Sequence, residues 1–150
     1  YFNNPEETEK KYYKGFIYTG DLATWDENQY ITILGRKDDM IISSGENIYP
    51  SEIEAVLNKN PKVKDCMVTS VPDKMRGQVV TAYVVRDDAT LSAEELDQFC
   101  KDSPDIANFK RPRYYRFVSQ LPFNATGKKL HVKIKATASD DLRNGLLYRV

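Results

Sequence analysis

The sequence predicts an α+β fold, in which a small β-meander precedes a compact domain with a mixed three-stranded sheet flanked by helices. Residues 63–71 and 78–85 are strand-like, and apolar residues recur at helical spacing after Pro50 and after Ser92. The chain has 150 residues, 41% of them hydrophobic, which is enough to bury a core without disulfides or metal ions.

The elements are predicted in the following order. Residues 16–34 contain β-branched and aromatic segments separated by turns, which is typical of a meander. Four consecutive charges at 36–39 break this pattern, and a short strand at 40–43 follows. Pro50 is placed to open one helix, and the capping box of Ser92 and Glu95 opens another.

The C-terminal third is predicted to contain one further strand and one further helix. Residues 114–118 alternate as a strand does, and residues 124–129 form a polar, glycine-containing loop. A basic helix is expected from about His131. From Ser139 onward apolar periodicity is weak, so we expect these residues to fray or to form a short helix.

Composition argues against several classes of protein. The longest apolar stretches are a few residues long, whereas a membrane-spanning helix needs about 20. Cys66 and Cys100 are far apart, which indicates a reducing, cytoplasmic compartment. With His131 as the only histidine, a histidine-rich metal site is not predicted, and a Ser-His-Asp triad is disfavoured. Residues 1–7 lack the features of a signal peptide and are typical of the interior of a longer chain.

Charge is balanced overall but unevenly distributed. Lys and Arg total 22, as do Asp and Glu, yet residues 87–105 carry seven acids and one base. Residues 106–139 carry eight bases and no acid. This asymmetry indicates an anionic partner, such as a phosphate, a nucleotide or a nucleic acid.

Two short segments before residue 40 have side chains suited to a nucleotide. Asp21 follows Gly20, and a carboxylate there can accept both hydroxyls of a ribose, although a simple turn is the alternative. Arg36 follows Gly35 and can reach a phosphate or ribose oxygen, although a charged hairpin loop explains it equally.

Two later segments are suited to anions or to close backbone approach. Ser44, Gly45 and Glu46 form a loop of mostly small residues, which lets backbone amides approach a ligand or merely connects a strand to a helix. Lys128 follows Gly127 and can bring an ammonium group to an anionic centre. The Walker pattern is absent, since its first glycine and its Ser/Thr are missing.

Six motifs occur together in one order, and their combination is more specific than any of them alone. They are Tyr18-Thr19-Gly20-Asp21, Gly35-Arg36-Lys37-Asp38-Asp39, Ser44-Gly45-Glu46-Asn47-Ile48-Tyr49-Pro50-Ser51-Glu52-Ile53-Glu54, Pro72-Asp73-Lys74-Met75-Arg76-Gly77, Phe109-Lys110-Arg111-Pro112-Arg113 and Thr126-Gly127-Lys128. This set resembles the C-terminal portion of the adenylate-forming superfamily, which includes acyl- and aryl-CoA ligases, luciferases and peptide-synthetase adenylation domains. The resemblance covers about residues 1–136, and residues 45–54 are similar to the CoA-ligase form.

The resemblance implies an AMP-forming acyl-CoA synthetase that works in two half-reactions. A carboxylate, expected here to be that of a fatty acid, attacks the α-phosphate of ATP held with Mg²⁺, and acyl-AMP and pyrophosphate form. The thiol of CoA then displaces AMP. The implied partners are the carboxylic acid, ATP, CoA and the enzyme's own N-terminal adenylation domain, which would hold most of the MgATP.

Matching motif positions imply roles for individual residues. Asp21 would bind the ribose hydroxyls, Arg36 would make a second nucleotide contact, and Lys128 would bind ATP and act as the catalytic lysine of adenylation. Asp38 would be the hinge. Ser44, Gly45 and Glu46 would line the pantetheine channel. Phe109 would contact the adenine of CoA, with its phosphates bound by Arg76, Arg111 and Arg113.

The resemblance also implies a division of the chain. Residues 1–37 would be the tail of the large N-terminal adenylation domain, and residues 39–150 the mobile C-terminal domain. Because the phosphate loop and acyl pocket would lie outside this sequence, we expect the isolated chain to be inactive. His131 stands where the family usually has arginine, and this difference is expected to alter pH dependence near neutrality.

Two other functions remain open at this point. One is an adenylation domain that passes its acyl group to a carrier protein instead of to CoA. The other is a non-enzymatic module that binds RNA, because residues 109–117 interleave cations with aromatic residues that can stack on bases. Tyr115 and Phe117, however, alternate at strand period and are more simply explained as core residues.

Overall fold

The computed structural model describes all residues from Tyr1 to Val150 and confirms the α+β class. The chain forms two compact units, Tyr1–Asp38 and Asp39–Val150. None of the helices has the length and apolar character needed to cross a bilayer.

The first unit consists of one short helix and two hairpins. Its elements are α1 (Pro5–Lys11), β1 (Tyr12–Tyr13), β2 (Phe16–Ile17), β3 (Asp21–Trp25) and β4 (Ile31–Arg36). Both strand pairs, β1 with β2 and β3 with β4, are antiparallel. A 3₁₀ turn, Lys37–Asp39, follows β4.

Helix α1 was not predicted, because its seven residues contain no apolar period. Its ends are instead specified by local chemistry. Pro5 occupies the first turn, where the missing N–H costs nothing, and the Asn4 side chain accepts a hydrogen bond from the Glu7 N–H at 3.1 Å. No residue of this helix is buried.

The second unit begins with a hairpin where the sequence predicted only a strand and a loop. Strands β5 (Ile41–Ser43) and β6 (Glu46–Ile48) pair antiparallel around Ser44 and Gly45. These two residues have φ values of +52° and +85°, the left-handed conformations that a tight two-residue hairpin turn requires.

The remaining elements build the main sheet and its helical cover. They are α2 (Pro50–Leu57), β7 (Val63–Asp73), β8 (Gly77–Arg86), α3 (Ala93–Asp102), β9 (Tyr114–Phe117), α4 (His131–Arg143) and β10 (Tyr148–Arg149). A 3₁₀ turn, Asn108–Lys110, precedes β9. The predicted cap of α3 is confirmed, since the Ser92 hydroxyl accepts from the Glu95 N–H at 3.2 Å.

The main sheet has four strands, so the prediction of three was wrong. Its order is β10-β9-β8-β7, with β8 and β9 parallel and the other neighbours antiparallel. The additional strand, β10, lies in the segment expected to fray or to be helical. A strand of two residues has no readable period, and its place is set by pairing with β9 and by the Val150 N–H, which donates to the Arg113 carbonyl at 3.2 Å.

Both faces of this sheet are buried. Along β7, Cys66 and Val68 face one apolar cluster, which also contains side chains of α2 and α3, whereas Met67 and Val71 face a second cluster with side chains of α4. Burial on both faces explains why residues 63–71 are nearly continuously apolar.

A buried polar group connects α4 to the sheet. Asp141 is 6% exposed, accepts the Tyr83 hydroxyl at 2.5 Å and forms an ion pair with Arg116. Tyr83 lies on β8 and Arg116 on β9. One carboxylate therefore satisfies donors from two adjacent strands.

We expect Asp141→Ala to lower the free energy of unfolding by about 3 kcal/mol, because it leaves the Arg116 guanidinium and the Tyr83 hydroxyl without their acceptor. Urea unfolding followed by circular dichroism measures this loss. Asp140→Ala is the matched control, since Asp140 lies beside Asp141 in sequence but its pair with Arg143 is exposed. Equal losses for the two variants would contradict the assigned role.

Candidate functional site

Asp21 and Arg36, the two predicted nucleotide contacts of the first unit, are brought together by the β3–β4 hairpin. They are register partners, and Arg36 Nη1 donates to Asp21 Oδ1 at 3.1 Å and to the Thr19 carbonyl at 2.8 Å. Both side chains are about two-fifths exposed. The pair thus presents a carboxylate and a guanidinium side by side at a solvent-accessible position.

Gly20 is required beside this pair. Its φ is +83°, and a Cβ added there would lie 3.1 Å from Arg36 Nη2. A side chain at position 20 would therefore be strained in its backbone and would press on the Arg36 guanidinium.

Asp38 is the last residue of the first unit and lies within the 3₁₀ turn that joins the two units. The preceding residue is tied back to the hairpin, since the Lys37 N–H donates to the Gly20 carbonyl at 2.8 Å. The boundary between the units consequently falls at the residue predicted as the hinge. Its movement remains a prediction.

Ser44 and Arg76 meet at one end of the main sheet. The Ser44 N–H donates to the Arg76 carbonyl at 3.0 Å, joining the β5–β6 turn to the β7–β8 turn. Asp73 shapes the second turn by accepting from the N–H groups of Arg76 and Met75 at 2.8 and 2.9 Å. These two hydrogen bonds hold the pKa of Asp73 below its usual value.

Arg113 lies at the same end of the sheet, immediately before β9. Its N–H donates to the Val80 carbonyl at 2.9 Å, and its buried Nε has no hydrogen-bond partner. Burial lowers the pKa of Arg113, and the charges of Arg111 and Arg76 lower it further. Three arginines therefore lie near one another here, and Arg113 has no acceptor for its buried Nε. This arrangement favours the binding of an anionic ligand.

Arg111 differs from its neighbours, because its guanidinium is committed inside the protein. Its Nε donates to Asp97 Oδ1 at 2.7 Å and its Nη1 to the Asn108 carbonyl at 3.3 Å. Asp97 also pairs with Lys101 at 2.6 Å. The side chains of Arg111 and Asp97 are only 10% and 7% exposed. Phe109, on the adjoining 3₁₀ turn, is by contrast half exposed.

The loop that carries Lys128 is organised by Asn124. Asn124 Oδ1 accepts from the N–H groups of Thr126 and Lys128 at 3.0 and 2.8 Å, and from the Thr126 hydroxyl at 2.8 Å. Gly127 takes a φ of +80° within this turn. The Lys128 residue is exposed.

Lys128 lies at the opposite end of the sheet from Ser44 and Arg76. The next residue, Lys129, donates from Nζ to the Cys66 carbonyl at 2.7 Å and pairs with Asp65. Asp65 and Asp73 are eight residues apart along β7, which corresponds to about 26 Å in an extended strand. The predicted site residues of the second unit therefore form two groups at the two ends of one strand.

Several classes of chemistry find no support in the structure. Cys66 and Cys100 are buried, and burial raises the pKa of both thiols, so neither is a ready nucleophile. No group of three or more His, Cys, Asp or Glu side chains is placed to hold a metal ion.

The acid-free segment is partly neutralised within the fold, so only some of its cations are available to the anionic partner inferred from its charge. Four of its eight cations form ion pairs with carboxylates elsewhere: Lys110 with Glu52, Arg111 with Asp97, Arg116 with Asp141 and Lys129 with Asp65. Residues 109–117 consequently do not form the continuous basic surface that single-stranded RNA would need. Tyr115, which was considered for base stacking, is fully buried.

Two residues that shape the site were not singled out from the sequence, namely Asn124 and Asp73. Both had a usable signal. Asn124 precedes Ala125 and Thr126 in a typical Asx turn, and Asp73 begins a turn that ends at Gly77.

Comparison with known proteins gives a family match and several similar enzymes. The family model of the AMP-binding enzyme C-terminal domain matches residues 52–128, about half of the chain. The chain is 44% identical over 128 residues to a 4-chlorobenzoate–CoA ligase of an Arthrobacter species, covering 85% of this chain and 24% of that enzyme. It is 39% identical over 135 residues to a long-chain-fatty-acid–CoA ligase of Bacillus subtilis, covering 89% and 24%.

A solved structure is similar in fold as well as in sequence. The o-succinylbenzoate CoA synthetase of Bacillus subtilis, determined with its acyl-adenylate intermediate, matches with a TM-score of 0.83 and 38% identity. The match covers 90% of this chain and 27% of that one. The chain thus spans about a quarter of the length of the proteins it matches.

We expect Arg111→Met to lower the free energy of unfolding by about 3 kcal/mol, because it removes the cation bonded to Oδ1 of the buried Asp97 and leaves that carboxylate with Lys101 alone. Arg113→Met should cost less than about 1 kcal/mol, since Arg113 Nε has no acceptor to lose. Urea unfolding of the two variants compares them directly. A larger loss for Arg113→Met than for Arg111→Met would contradict this assignment of structural and ligand-facing arginines.

Proposed function

Since the chain belongs to the AMP-binding enzyme C-terminal domain family, we propose that it is the C-terminal part of an ATP-dependent, AMP-forming acyl- or aryl-CoA ligase, hereafter the complete ligase. This ligase converts a carboxylic acid to acyl-AMP and then to acyl-CoA. We place it in the cytoplasm, which the two unpaired cysteines support.

The acid is proposed to be aromatic or a long-chain fatty acid. One relative is named for a long-chain fatty acid, which supports the expectation of a fatty acid. Two others are named for aromatic acids, 4-chlorobenzoate and o-succinylbenzoate. All three are named for CoA, and this favours CoA over a carrier protein as the acyl acceptor.

The observation that carries the proposal is the separation of the two groups of site residues along β7. The exposed Lys128, next to the paired Lys129, lies at one end of the strand. A group of arginines and a tight turn that contains glycine lie at the other end. Two half-reactions need two different environments for one acyl group. A domain with distinct chemistry at its two ends supplies both when it pivots at Asp38.

For the first half-reaction, we assign the Lys128 ammonium to the α-phosphoryl group of ATP. A carboxylate oxygen attacks the α-phosphorus, the bond to the pyrophosphate oxygen breaks, and negative charge builds on the α-phosphoryl oxygens. A positioned cation stabilises that charge more in the transition state than in the ground state. Asp21 accepts the ribose hydroxyls, and Arg36, bonded to Asp21, orients it.

A metal bound with ATP would help to neutralise the triphosphate, as Mg²⁺ does in this class of phosphate chemistry. This chain has no cluster of ligands to hold it. The roles of Lys128, Asp21 and Arg36 therefore do not pass through a metal site on this chain.

For the second half-reaction, we assign the β5–β6 turn to the pantetheine arm of CoA. The CoA thiolate attacks the acyl carbonyl carbon, and AMP leaves with the bonding electrons of the acyl–oxygen bond. Gly45 has nothing within 4 Å of its missing Cβ, so an extended thiol arm can pass close to the backbone of Ser44, Gly45 and Glu46.

The CoA nucleotide is assigned to the arginine-rich end of the sheet. We assign Arg76 and Arg113 to its phosphates and the half-exposed ring of Phe109 to its adenine. Arg111, whose donors already bond Asp97 and Asn108, would support this site by fixing the turn that carries Phe109.

We expect Lys128→Ala in the complete ligase to reduce carboxylate-dependent ATP–pyrophosphate exchange by about 10²–10³-fold, because one positioned charge is lost from the transition state. Thioester formation from supplied acyl-AMP should change less than about threefold. 4-Chlorobenzoate, 2-succinylbenzoate and palmitate are the acids to assay. Lys133→Ala is the matched control, since Lys133 is an exposed lysine on α4.

Equal loss of both half-reactions in Lys128→Ala would contradict the two-ended assignment. Absence of exchange with all three acids in the unmodified ligase would count against the proposed substrate classes.

A further inference from the structure

Two ion pairs tie the segment just after Lys128 to the rest of the domain. Lys129 Nζ pairs with Asp65 and also donates to the Cys66 carbonyl at 2.7 Å, both on β7. His131, the first residue of α4, places Nε2 2.8 Å from Glu54 Oε1 on α2. The three residues that follow Lys128 thus contain both attachments.

The internal shape of the loop has a different origin from its attachment. Asn124 holds the turn by accepting bonds from residues inside the loop itself, and the Leu130 N–H donates to the Pro122 carbonyl at 2.9 Å. These bonds fold the loop onto itself. Leu121 and Ile134, which are buried in the second apolar cluster, hold the ends of the segment against β7, and Lys129 and His131 bond the segment to β7 and α2 close to Lys128.

Glu54 is itself held in place. Its Oε1 accepts the Val68 N–H of β7 at 2.7 Å in addition to its contact with His131, and its side chain is 14% exposed. One carboxylate oxygen therefore joins α2, β7 and the start of α4. The Lys128 ammonium is not in contact with this oxygen. Glu54 can affect the position of Lys128 only through the backbone between Lys128 and His131.

We propose that Glu54 and His131 are positioning residues for Lys128, and that their bond sets where the loop that carries Lys128, residues 124–129, lies over the domain. This inference rests on the proposed function, because it takes Lys128 as the residue whose place matters. A displacement of about 1 Å at a reacting group can cost on the order of 10²-fold in rate, so a bond that fixes this loop is relevant to catalysis.

The bond is sensitive to pH because one partner is an imidazole. The hydrogen bond to Glu54 raises the pKa of His131 most, burial opposes it, Asp39 raises it further, and Lys129 lowers it. These groups come from α2, the turn before β5, and the loop itself. The charged pair is fully present below the ordinary histidine pKa and is lost as pH rises through the raised one.

A neutral imidazole can still donate one hydrogen bond, but without the charge that strengthens it. The attachment of the loop should therefore loosen, without breaking, as the solution becomes alkaline. Adenylation should fall with pH for this reason, whereas thioester formation, carried by the other end of the sheet, should not share the change.

Hydrogen exchange of the complete ligase tests positioning without any substrate. We expect protection factors of the 124–131 segment, corrected for intrinsic exchange, to fall about tenfold between pH 6 and pH 9. His131→Arg, a permanent cation, should hold protection constant over this range. Glu54→Gln should show low protection at every pH. Lys133→Gln, an exposed change on α4, should behave as the unmodified enzyme does.

ATP–pyrophosphate exchange with 4-chlorobenzoate, 2-succinylbenzoate and palmitate provides the second measurement. We expect His131→Gln to lower kcat/KM for exchange about tenfold at pH 6. The His131→Arg variant should keep most of the exchange activity of the unmodified ligase. Thioester formation from supplied acyl-AMP should be unaffected in both variants. A structural defect alone would lower both half-reactions and would not be rescued by arginine.

The proposal is overturned if His131→Arg keeps the pH dependence of protection, or if Glu54→Gln leaves protection unchanged. Its failure is distinguishable from failure of the proposed function. Loop protection that follows the expected pattern without exchange activity would support positioning and contradict the ligase assignment. Exchange activity that ignores both substitutions would support the ligase and contradict positioning.

Discussion

The antiparallel ladder between β7 and β8 determines where the other elements of the second unit and its two groups of candidate site residues lie. Its register runs from Val63 opposite Arg86 to Asp73 opposite Gly77, so it spans the whole of β7. Because both faces of the ladder are covered by apolar side chains, a slip by one residue would turn each side chain of β7 toward the opposite cluster and disrupt the packing of both. The distance between the two ends is thus fixed by packing.

Because that distance is fixed, the two groups of candidate site residues stay apart at opposite ends of β7. Lys129 attaches the loop that carries Lys128 near Asp65, and Asp73 shapes the turn that presents Arg76 beside Ser44. Neither end needs to deform when the other is in use. Under the proposed function, a rigid body with two different ends would serve the two half-reactions in turn by changing its orientation.

Charge in this domain serves stability and ligand binding in different places. Arg111 and Arg116 are buried against Asp97 and Asp141, where an unpaired charge would be expensive. Arg113 has a buried Nε that nothing in the protein accepts. The sequence shows only a run of like charges, and the fold divides that run into cations already paired and cations available to an anionic ligand.

Local signals in the sequence identified most of the large elements. Pro50 and Ser92 marked the helix starts, and apolar continuity marked β7 and β8. The elements that were missed, α1, β1, β6 and β10, are short and carry no period, so capping, turn conformation and pairing decide them. A two-residue strand such as β10 exists only because β9 offers an edge.

The sequence motifs supplied the candidate site residues, whose roles stay predictions, but they did not supply the arrangement of those residues. The motifs named Lys128, Ser44 and Arg76, yet their placement at opposite ends follows from the register of β7 and from Lys129. The commitment of Arg111 to Asp97 was equally hidden, because charge alone does not reveal which cation is buried.

A distance measured across Asp38 shows whether the second unit, as one rigid domain, changes its orientation between the two half-reactions. Spin labels at Glu27→Cys in the first unit and Lys74→Cys in the second suit this measurement, since both positions are exposed and Cys66 and Cys100 are buried. If the domain turns at Asp38, we expect two distances in the complete ligase, one favoured by ATP with the acid and the other by acyl-AMP with CoA, and a single distance in Asp38→Pro. One unchanged distance in the unmodified ligase under both conditions would contradict it.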